Sequence, residues 1–360
     1  MFDFCRRLLL ALVIIIPLMF TAPAVGSTDQ TFPNSCPNGM VWIPGGTFRM
    51  GSDDFFPEEK TVDDVTVDGF CLDQTEVTNA QFAAFVQATG YVTVAERPLS
   101  PAQFADLAKD QRAAGSLVFR MPSPGVTEVP MLSWWHWVPG ADWRHPEGPD
   151  SDIEGKENYP VVQVSYEDAQ AYADWAGKQL PTEAEWEFAG RGGLTDQIFG
   201  WGNTYSPKKA NTWQGTFPFE NQKKDGYGGT APVASFPPNA FGLYDMTGNV
   251  WEWTVDWYSG DRQGMVHQHN PQGPRESESF DPREPNGPKH VIKGGSYLCA
   301  KNYCSRYRPA ARESQDSDTG TTHIGFRLAF HGLATHGVPT HQGRTKMTEI
   351  SQRMTYHQND

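Results

Sequence analysis

Two long stretches, residues 92–160 and 195–240, have no sustained hydrophobic periodicity, and this constrains the fold more than any other feature of the sequence. Both stretches are rich in Trp, Pro and Gly. The 360-residue chain contains 35 Gly and 28 Pro, which favour turns and irregular connections. Its 12 Trp, 12 Tyr and 21 Phe each bury a large area, so aromatic packing can order such a backbone. We therefore predict an irregular, loop-rich α+β fold rather than a helical bundle, a coiled coil or a polytopic membrane protein.

Regular elements are predicted only at a few places. Three capping boxes, which satisfy the first backbone N–H groups of a helix, predict helix starts. They are Thr78 with Gln81, Ser165 with Asp168, and Thr182 with Glu185. Apolar residues at helical spacing follow each box, so each helix is expected to pack on a sheet. Short β-branched or aromatic runs predict strands at 40–43, 161–164 and 290–293.

The two ends of the chain differ from the body between them. Arg6 and Arg7 precede an apolar run over 8–20 and small residues up to Ser27, the order typical of a secretory signal. We predict a signal peptide over 1–26, with an uncleaved anchor as the alternative, and no stable membrane span once it is removed. Residues 331–360 have several His but no apolar face, which indicates a disordered tail. A single domain is therefore expected over 27–330.

The overall charge restricts the partners. The chain has 29 Lys and Arg against 43 Asp and Glu, a formal net charge of −14. Nonspecific nucleic-acid binding needs a basic face that neutralises phosphates, so nucleic acid is not an expected partner. The predicted signal instead implies export to a periplasm, cell envelope or extracellular space, or to the ER lumen in a eukaryote.

Cys299 and Cys304 lie five residues apart in a segment that begins Gly294-Gly-Ser296. That spacing puts two side chains about 140° apart on a helix and on opposite faces of a strand. The two thiols can therefore converge only across a bend, which the glycines favour. Convergence would give either a disulfide or a two-sulfur metal site.

The charges around this segment favour thiolate chemistry. Between residues 289 and 330 seven cations face three acids in the sequence, a local excess of +4. The cations are Lys289, Lys293, Lys301, Arg306, Arg308, Arg312 and Arg327. Nearby cations favour thiolate over thiol. Zinc would need two further ligands, whereas two soft thiolates suit copper(I). From the residues alone, a structural disulfide and a functional pair both remain open.

Several motifs together are similar to those of one known family. They are the segments 39–48, 76–79, 143–149, 180–187, 242–253, 294–304 and 325–327. Over residues 36–330 the chain resembles the formylglycine-generating enzyme, or sulfatase-modifying factor, family, whose fold is related to C-type lectin folds. Most of these motifs mark the broad fold family. The Gly-Gly-Ser-Tyr-x-Cys-x4-Cys segment resembles the catalytic members specifically, which favours a functional cysteine pair.

The resemblance implies a copper-dependent oxidase, which we expect to be a monomer. Such an enzyme uses molecular oxygen to convert a cysteine in a Cys-x-Pro-x-Arg-like segment of an unfolded sulfatase to Cα-formylglycine. By match to the motif, Cys299 and Cys304 are copper(I) ligands, and Ser296 is a third catalytic residue beside them. Trp251 and Tyr303 correspond to aromatic residues of the substrate pocket.

The resemblance also implies structural sites. Two calcium sites match oxygen-rich groups, which suit a hard cation. The first comprises Asn211, Thr212, Asp225 and Tyr227 joined by Glu76, and the second comprises Asp245, Gly248, Val250 and Glu252. Apart from the resemblance, Cys36 and Cys71 are expected to form a structural disulfide, because disulfides persist in exported proteins. His323 stands where the family has an Asn in the substrate pocket, which leaves the preferred peptide open.

Two other functional classes remain as alternatives on the same fold. A non-catalytic, lectin-like binding protein would need no redox pair, so the two thiols count against it. Another oxidoreductase, an iron-dependent sulfur oxygenase, would need a His/carboxylate triad in an added helical domain.

Overall fold

The computed structural model describes residues 36–60, 62–100, 112–260, 262 and 268–332. The predicted signal peptide lies outside these residues, as does the predicted tail from residue 333 onwards. His331, the first residue of that tail, is packed: its ring stacks on Phe70, and its Nε2 lies 2.5 Å from Glu185 Oε1. Ordered contacts therefore extend into the segment predicted as tail. No helix among the described residues is long and apolar enough to cross a membrane.

All three predicted helices form in the described part of the chain. They are α1 (Asn79–Thr89), α2 (Tyr166–Ala176) and α3 (Glu183–Arg191). Each begins with the predicted capping box and ends at a glycine in the left-handed conformation, which a side chain would strain. Short 3-10 turns occur at Pro57–Glu59, Val94–Glu96 and Glu276–Glu278.

The described strands form small sheets. The strands are β1 (Met40–Ile43), β2 (Gly46–Met50), β3 (Val62–Val67), β4 (Phe70–Asp73), β5 (Gly115–Phe119), β6 (Trp135–Pro139), β7 (Trp251–Trp257), β8 (Lys289–Lys293), β9 (Glu313–Asp316), β10 (Ile324–Gly325) and β11 (Ala329–Phe330). One sheet has the order β1-β4-β11 and another β10-β7-β8-β9, while β2 pairs with β3 and β5 with β6. The pairings are antiparallel except that of β10 with β7.

The prediction that a helix packs on a sheet is confirmed for α3, which contacts β2, β3, β7 and β8. Aromatic side chains are the main filling around the other two helices. The α1 and α2 helices pack together around Phe82, whose ring centroid lies 5.2 Å from that of Trp143 and 5.9 Å from that of Tyr172. Trp251 and Trp253 of β7 belong to the same buried cluster, so this core reaches the largest sheet.

The strand predictions are confirmed at 40–43 and at 290–293, which lies within β8, but are wrong at 161–164. Residues 161–164 are buried, yet they form no strand because Gln163 has a φ of 61°, outside the extended region. Its amide donates to the carbonyls of Leu117 and Pro146 instead. The stretch 92–160, expected to lack regular structure, contains the β5–β6 hairpin. The stretch 195–240 has no helix or strand among its residues, as predicted.

The predicted disulfide between Cys36 and Cys71 is present. It joins the segment before β1 to β4, the central strand of the three-stranded sheet. The cross-link spans 35 positions of sequence and so restricts the unfolded chain.

Candidate functional site

A turn that follows β8 carries both free cysteines; we call residues 294–308 the thiol turn. Gly294 and Gly295 have φ values of 92° and 73°, and a Cβ on Gly295 would lie 2.7 Å from Tyr307 Cα. The turn can therefore close only with glycine at its start. Backbone hydrogen bonds from Cys299 N to Ser296 O and from Cys304 N to Ala300 O, each 2.9 Å long, continue the reversal. The predicted bend is thus confirmed.

The bend brings the two sulfur atoms into contact. Cys299 Sγ and Cys304 Sγ lie 2.9 Å apart, and both cysteines are free thiols. Cys299 is only 2% exposed, whereas Cys304 is partly exposed. The question that spacing left open, a disulfide or a free pair, is answered in this structure by the free pair.

The two thiols have different acidities. Burial raises the pKa of Cys299 well above its ordinary value, and the neighbouring sulfur adds to this effect. The hydrogen bond from Cys299 lowers the pKa of Cys304, with a further contribution from Arg306. The arrangement therefore favours a thiolate at Cys304 that accepts a hydrogen bond from a protonated Cys299.

The expectation that a cluster of cations faces the thiols is wrong in most of its members. Six of the seven cations are engaged by acids from elsewhere in the chain. Arg308, for example, makes two 2.6 Å bonds to Glu59. Buried guanidinium groups need such partners. Among the described cations, Arg306 is the one that lowers the pKa of both thiols.

Two of the predicted site residues lie beside the thiols inside the core. Ser296 is fully buried, and its Oγ accepts a hydrogen bond from Leu298 N at 3.2 Å. Trp251 is 3% exposed and belongs to the same apolar cluster as Cys299. Its backbone N donates to His323 O at 2.8 Å, so β7 and the segment before β10 are tied together next to the thiol turn.

Tyr303 and His323 occupy the outer part of the site. Tyr303 is 39% exposed and stacks on Phe217 at a centroid distance of 4.4 Å. Burial, together with the two sulfurs, raises its pKa to about 12. The ring of His323 lies 4.8 Å from that of Trp135, and Nδ1 bonds Thr321 Oγ1. Burial lowers the pKa of His323 to about 3, so its imidazole is neutral at pH 7.

The β5–β6 hairpin supplies aromatic residues that sequence reasoning missed. Trp134 packs edge-on against Tyr303 at 5.4 Å, and Phe119 stacks on Phe217 at 5.7 Å. These rings join Trp213 in a cluster that also contains Leu298 and Ala300, the neighbours of Cys299. The many Trp residues of this aperiodic stretch were the sequence signal for these contacts. They did not indicate which side chains the Trp rings would contact.

A group of buried acids matches the second predicted calcium site. Glu252 accepts from Arg327 at 2.7 and 2.8 Å, and Asn249 Nδ2 donates to Glu76 Oε1 at 3.0 Å. Glu76 Oε2 is buried and has no hydrogen-bond partner among the described residues. Burial, then the charge of Asp245, raises the pKa of Glu76, and burial raises the pKa of Asp245 to about 6.

Glu76 was predicted to join the first calcium group; in the structure burial, then the charges of Asp245 and Glu252 from the second group, raise the pKa of its carboxyl. Asn249, which no motif singled out, links the two groups because it also accepts from Asn211 Nδ2 at 3.1 Å. These hydrogen bonds join side chains of residues that are far apart in sequence, so sequence spacing could not reveal them.

The residues of the first predicted calcium site lie close together, but the carboxylate among them already accepts several hydrogen bonds. The Asp225 carboxylate accepts from Thr212 N at 3.1 Å, from Tyr227 N at 3.0 Å and from Gln214 Nε2 at 2.6 Å. A carboxylate has about four lone-pair directions, so few remain. In the second group, Gly248 and Val250 lie on the loop between Asp245 and Glu252, and a Cβ on Gly248 would meet Asn211 O at 2.1 Å.

A dication fits the second group better than the first. Three buried carboxylates, Glu76, Asp245 and Glu252, face one guanidinium, and one carboxylate oxygen is unpaired. Within the described residues no three His, Cys, Asp or Glu side chains converge enough to hold a metal by themselves. Backbone and amide oxygens would therefore have to complete the ligand set, as calcium allows.

The chain is similar to a known family model, to several named relatives and to solved structures. A family model described as "Sulfatase-modifying factor enzyme 1-like domain" matches residues 27–331. The formylglycine-generating enzyme of Mycobacterium tuberculosis is 50% identical over 293 residues, which cover 80% of this chain and 96% of that protein. The inactive C-alpha-formylglycine-generating enzyme 2 of Bos taurus is 38% identical over 295 residues, or 81% of this chain and 87% of that protein. The structure of PvdO from Pseudomonas aeruginosa matches with a TM-score of 0.56 at 26% identity, covering 81% of this chain and 94% of PvdO.

Proposed function

The chain belongs to the sulfatase-modifying factor enzyme 1-like family, and from that premise we propose that it is a formylglycine-generating enzyme. It converts a cysteine in an unfolded sulfatase chain to Cα-formylglycine, with molecular oxygen as the oxidant. The observation that carries this proposal is the contact of two free thiols, Cys299 and Cys304, 2.9 Å apart at a partly exposed turn.

Family membership alone does not distinguish an active enzyme from a non-catalytic protein, because a relative named as inactive also matches. A lectin-like binding protein gains nothing from two free thiols in contact, since either a disulfide or apolar side chains would stabilise the turn better. An iron-dependent oxygenase needs a His/carboxylate triad. No three such side chains converge within the part of the chain that the structure describes. The thiol pair therefore favours the sulfur-based oxidase.

The donor set at the thiol turn fits copper(I). Cys299 and Cys304 would hold the ion, because two converging soft sulfur ligands stabilise the reduced metal and leave positions open. When bound, copper(I) would supply the binding and activation of oxygen. Binding would release the proton of Cys299, which is the thiol with the raised pKa, so affinity should increase with pH.

The protein side chains have separate tasks around this pair. Arg306 favours negative charge on the sulfurs, and burial of Cys299 keeps water from the inner side. Cys304 and Tyr303 are the exposed members, so substrate approaches from their side. The neutral His323 ring can exchange hydrogen bonds with a substrate backbone without adding charge.

The test of this function uses purified protein loaded with copper(I), a Cys-x-Pro-x-Arg peptide and oxygen, with mass spectrometry for the aldehyde. We expect Cys299→Ala and Cys304→Ala each to abolish turnover. The Cys36→Ala/Cys71→Ala variant removes two sulfurs outside the site, so below its melting temperature it should retain turnover. Unchanged turnover in either site variant would overturn the proposal.

We further propose that calcium binds beside Glu76, Asp245 and Glu252. Because these acids outnumber their cationic partner, Glu76→Gln should raise the melting temperature in EDTA and remove the increase that calcium gives to the wild type. Asp225→Asn serves as the control for the first group. Equal calcium shifts in wild type and Glu76→Gln would contradict the placement.

We also propose that the protein is exported and that its signal peptide is removed. The family match begins at residue 27, directly after the predicted signal over 1–26, which supports removal of that segment. The enzyme would then act as a monomer on newly exported, unfolded sulfatases. N-terminal sequencing of the protein recovered from the cell envelope or medium tests this, and a retained Met1 would contradict cleavage.

A further inference from the structure

A cavity of about 1020 Å³ adjoins the thiol turn. It is at the upper end of the size range of small-molecule sites, and large enough for more than one side chain of a peptide. Its lining includes Lys301, Asn302 and Ser305 from the thiol turn and Phe199, Trp213 and Lys224 from the 195–240 stretch.

The charge of this cavity is opposite to that of the protein. None of the described residues that line it is an acid, while Lys224, Lys301 and Arg308 are cations. Arg308 is neutralised by its two bonds to Glu59. Lys224 and Lys301 are exposed, and within the described part of the chain neither forms an ion pair with an acid. Two uncompensated ammonium groups thus lie at a cavity in a chain of net charge −14, where they concentrate anions.

Trp213 ties this cavity to the thiol pair. Its side chain is 3% exposed and is part of the cavity lining. The backbone N of Trp213 donates to Cys299 O at 3.0 Å, so this wall of the cavity is held next to the thiols.

We propose that this cavity binds an acidic side chain of the substrate polypeptide close to the cysteine that is modified. The ammonium groups of Lys224 and Lys301 pair with the carboxylate, while Phe199 and the other aromatic lining residues contact its neighbours. The inference rests on the proposed function and adds a preference to it: segments with Asp or Glu beside the target cysteine are better substrates than their amide counterparts.

The test compares peptides in which one Glu or Gln is placed in turn at each position flanking the cysteine. Binding is measured by fluorescence anisotropy with Cys→Ser peptides and copper-free protein, and turnover with the Cys peptides. At one or more positions we expect about twofold to thirtyfold tighter binding of the Glu peptide, the range for two exposed ion pairs. The same factor should appear in KM, and it should vanish in 1 M salt.

Variants then locate the effect. Lys224→Gln/Lys301→Gln should abolish the preference, and Lys224→Glu/Lys301→Glu should reverse it toward Lys-containing peptides. Lys156→Gln removes an exposed lysine that does not line the cavity, so it should keep the preference. Circular dichroism confirms that each variant is folded.

The outcomes separate this inference from the proposed function. Equal binding of Glu and Gln peptides at every position, or a preference that survives in the double variant, overturns the inference. If the wild type then still forms aldehyde, the proposed function stands alone. Glu-selective binding without aldehyde formation would support the cavity site and refute the oxidase. Competition by inorganic phosphate alone, with no Glu preference, would mean a general anion site and would also overturn the inference.

Discussion

The hydrogen bond between the two thiols makes a quantitative prediction for the reactivity of Cys304. In the structure this bond is the largest influence that lowers the pKa of Cys304, and burial acts against it. Cys299→Ala removes the donor and leaves Arg306 in place. The pKa of Cys304 should therefore rise in the variant, and less thiolate should be present at pH 7.

The magnitude follows from the strength of a hydrogen bond to a charged acceptor, about 1.5–3 kcal/mol. Below the pKa, this lowers the thiolate fraction by roughly tenfold to 150-fold. A more basic thiolate is also more nucleophilic, with a Brønsted coefficient of about 0.4–0.5. On a logarithmic scale, this gain in nucleophilicity offsets nearly half of the loss in thiolate fraction. Alkylation of Cys304 should consequently slow by about fourfold to sixteenfold.

The assay is the iodoacetamide reaction of copper-free protein between pH 6 and 10, with the modified residue located by mass spectrometry. Leu298→Val, a neighbouring core substitution that keeps both thiols, is the control and should retain the wild-type profile. The pH midpoint should move upward in Cys299→Ala. An unchanged midpoint, or faster alkylation at pH 7, would refute the assigned direction of the hydrogen bond.

Three predictions concern stability. Glu59→Gln, which disrupts two 2.6 Å bonds to a buried guanidinium, should cost about 3–5 kcal/mol in urea unfolding; a cost below 1 kcal/mol would show that water replaces the pair. Replacing Cys36 and Cys71 by Ala opens a loop of 35 residues. The added entropy of the unfolded chain should lower the free energy of unfolding by about 4 kcal/mol, with the native structure unchanged. Burial opposes protonation of His331, but its bond to Glu185 prevails and raises the pKa of His331. Its stabilisation is therefore complete below the unfolded pKa and lost as pH rises through the folded value, so the wild type should lose more unfolding free energy than His331→Gln between pH 6 and 8; parallel curves would contradict this.

Features that depend on neighbours a few residues apart were predictable from the sequence. The capping boxes at Thr78, Ser165 and Thr182 need only a side chain and the N–H groups three residues ahead, so their helices begin where predicted. The bend between Cys299 and Cys304 follows in the same way, because no regular element brings side chains five apart together.

Features that depend on distant partners were not predictable. The β5–β6 hairpin lacks a clean apolar alternation, since every residue of Trp135–Pro139 is at least partly exposed. Gln163 leaves the extended region to bond Leu117 and Pro146, which are 46 and 17 residues away. Glu76 reaches Asn249 across 173 residues, so no spacing rule could assign it to the second acidic group.

At the thiol turn, too, one feature depends on neighbouring residues and another on distant ones. The sequence by itself determined that the two thiols could converge only across a turn, because glycine conformation and residue spacing are local properties. Only the tertiary structure decided which cations act on those thiols. Arg306 and Arg308 are both paired with acids far away in sequence, Glu58 and Glu59, at separations of 248 and 249 positions, yet Arg306 still lowers the pKa of both thiols. A charge inside a protein acts through its distance and its compensating partners, and the fold alone sets both.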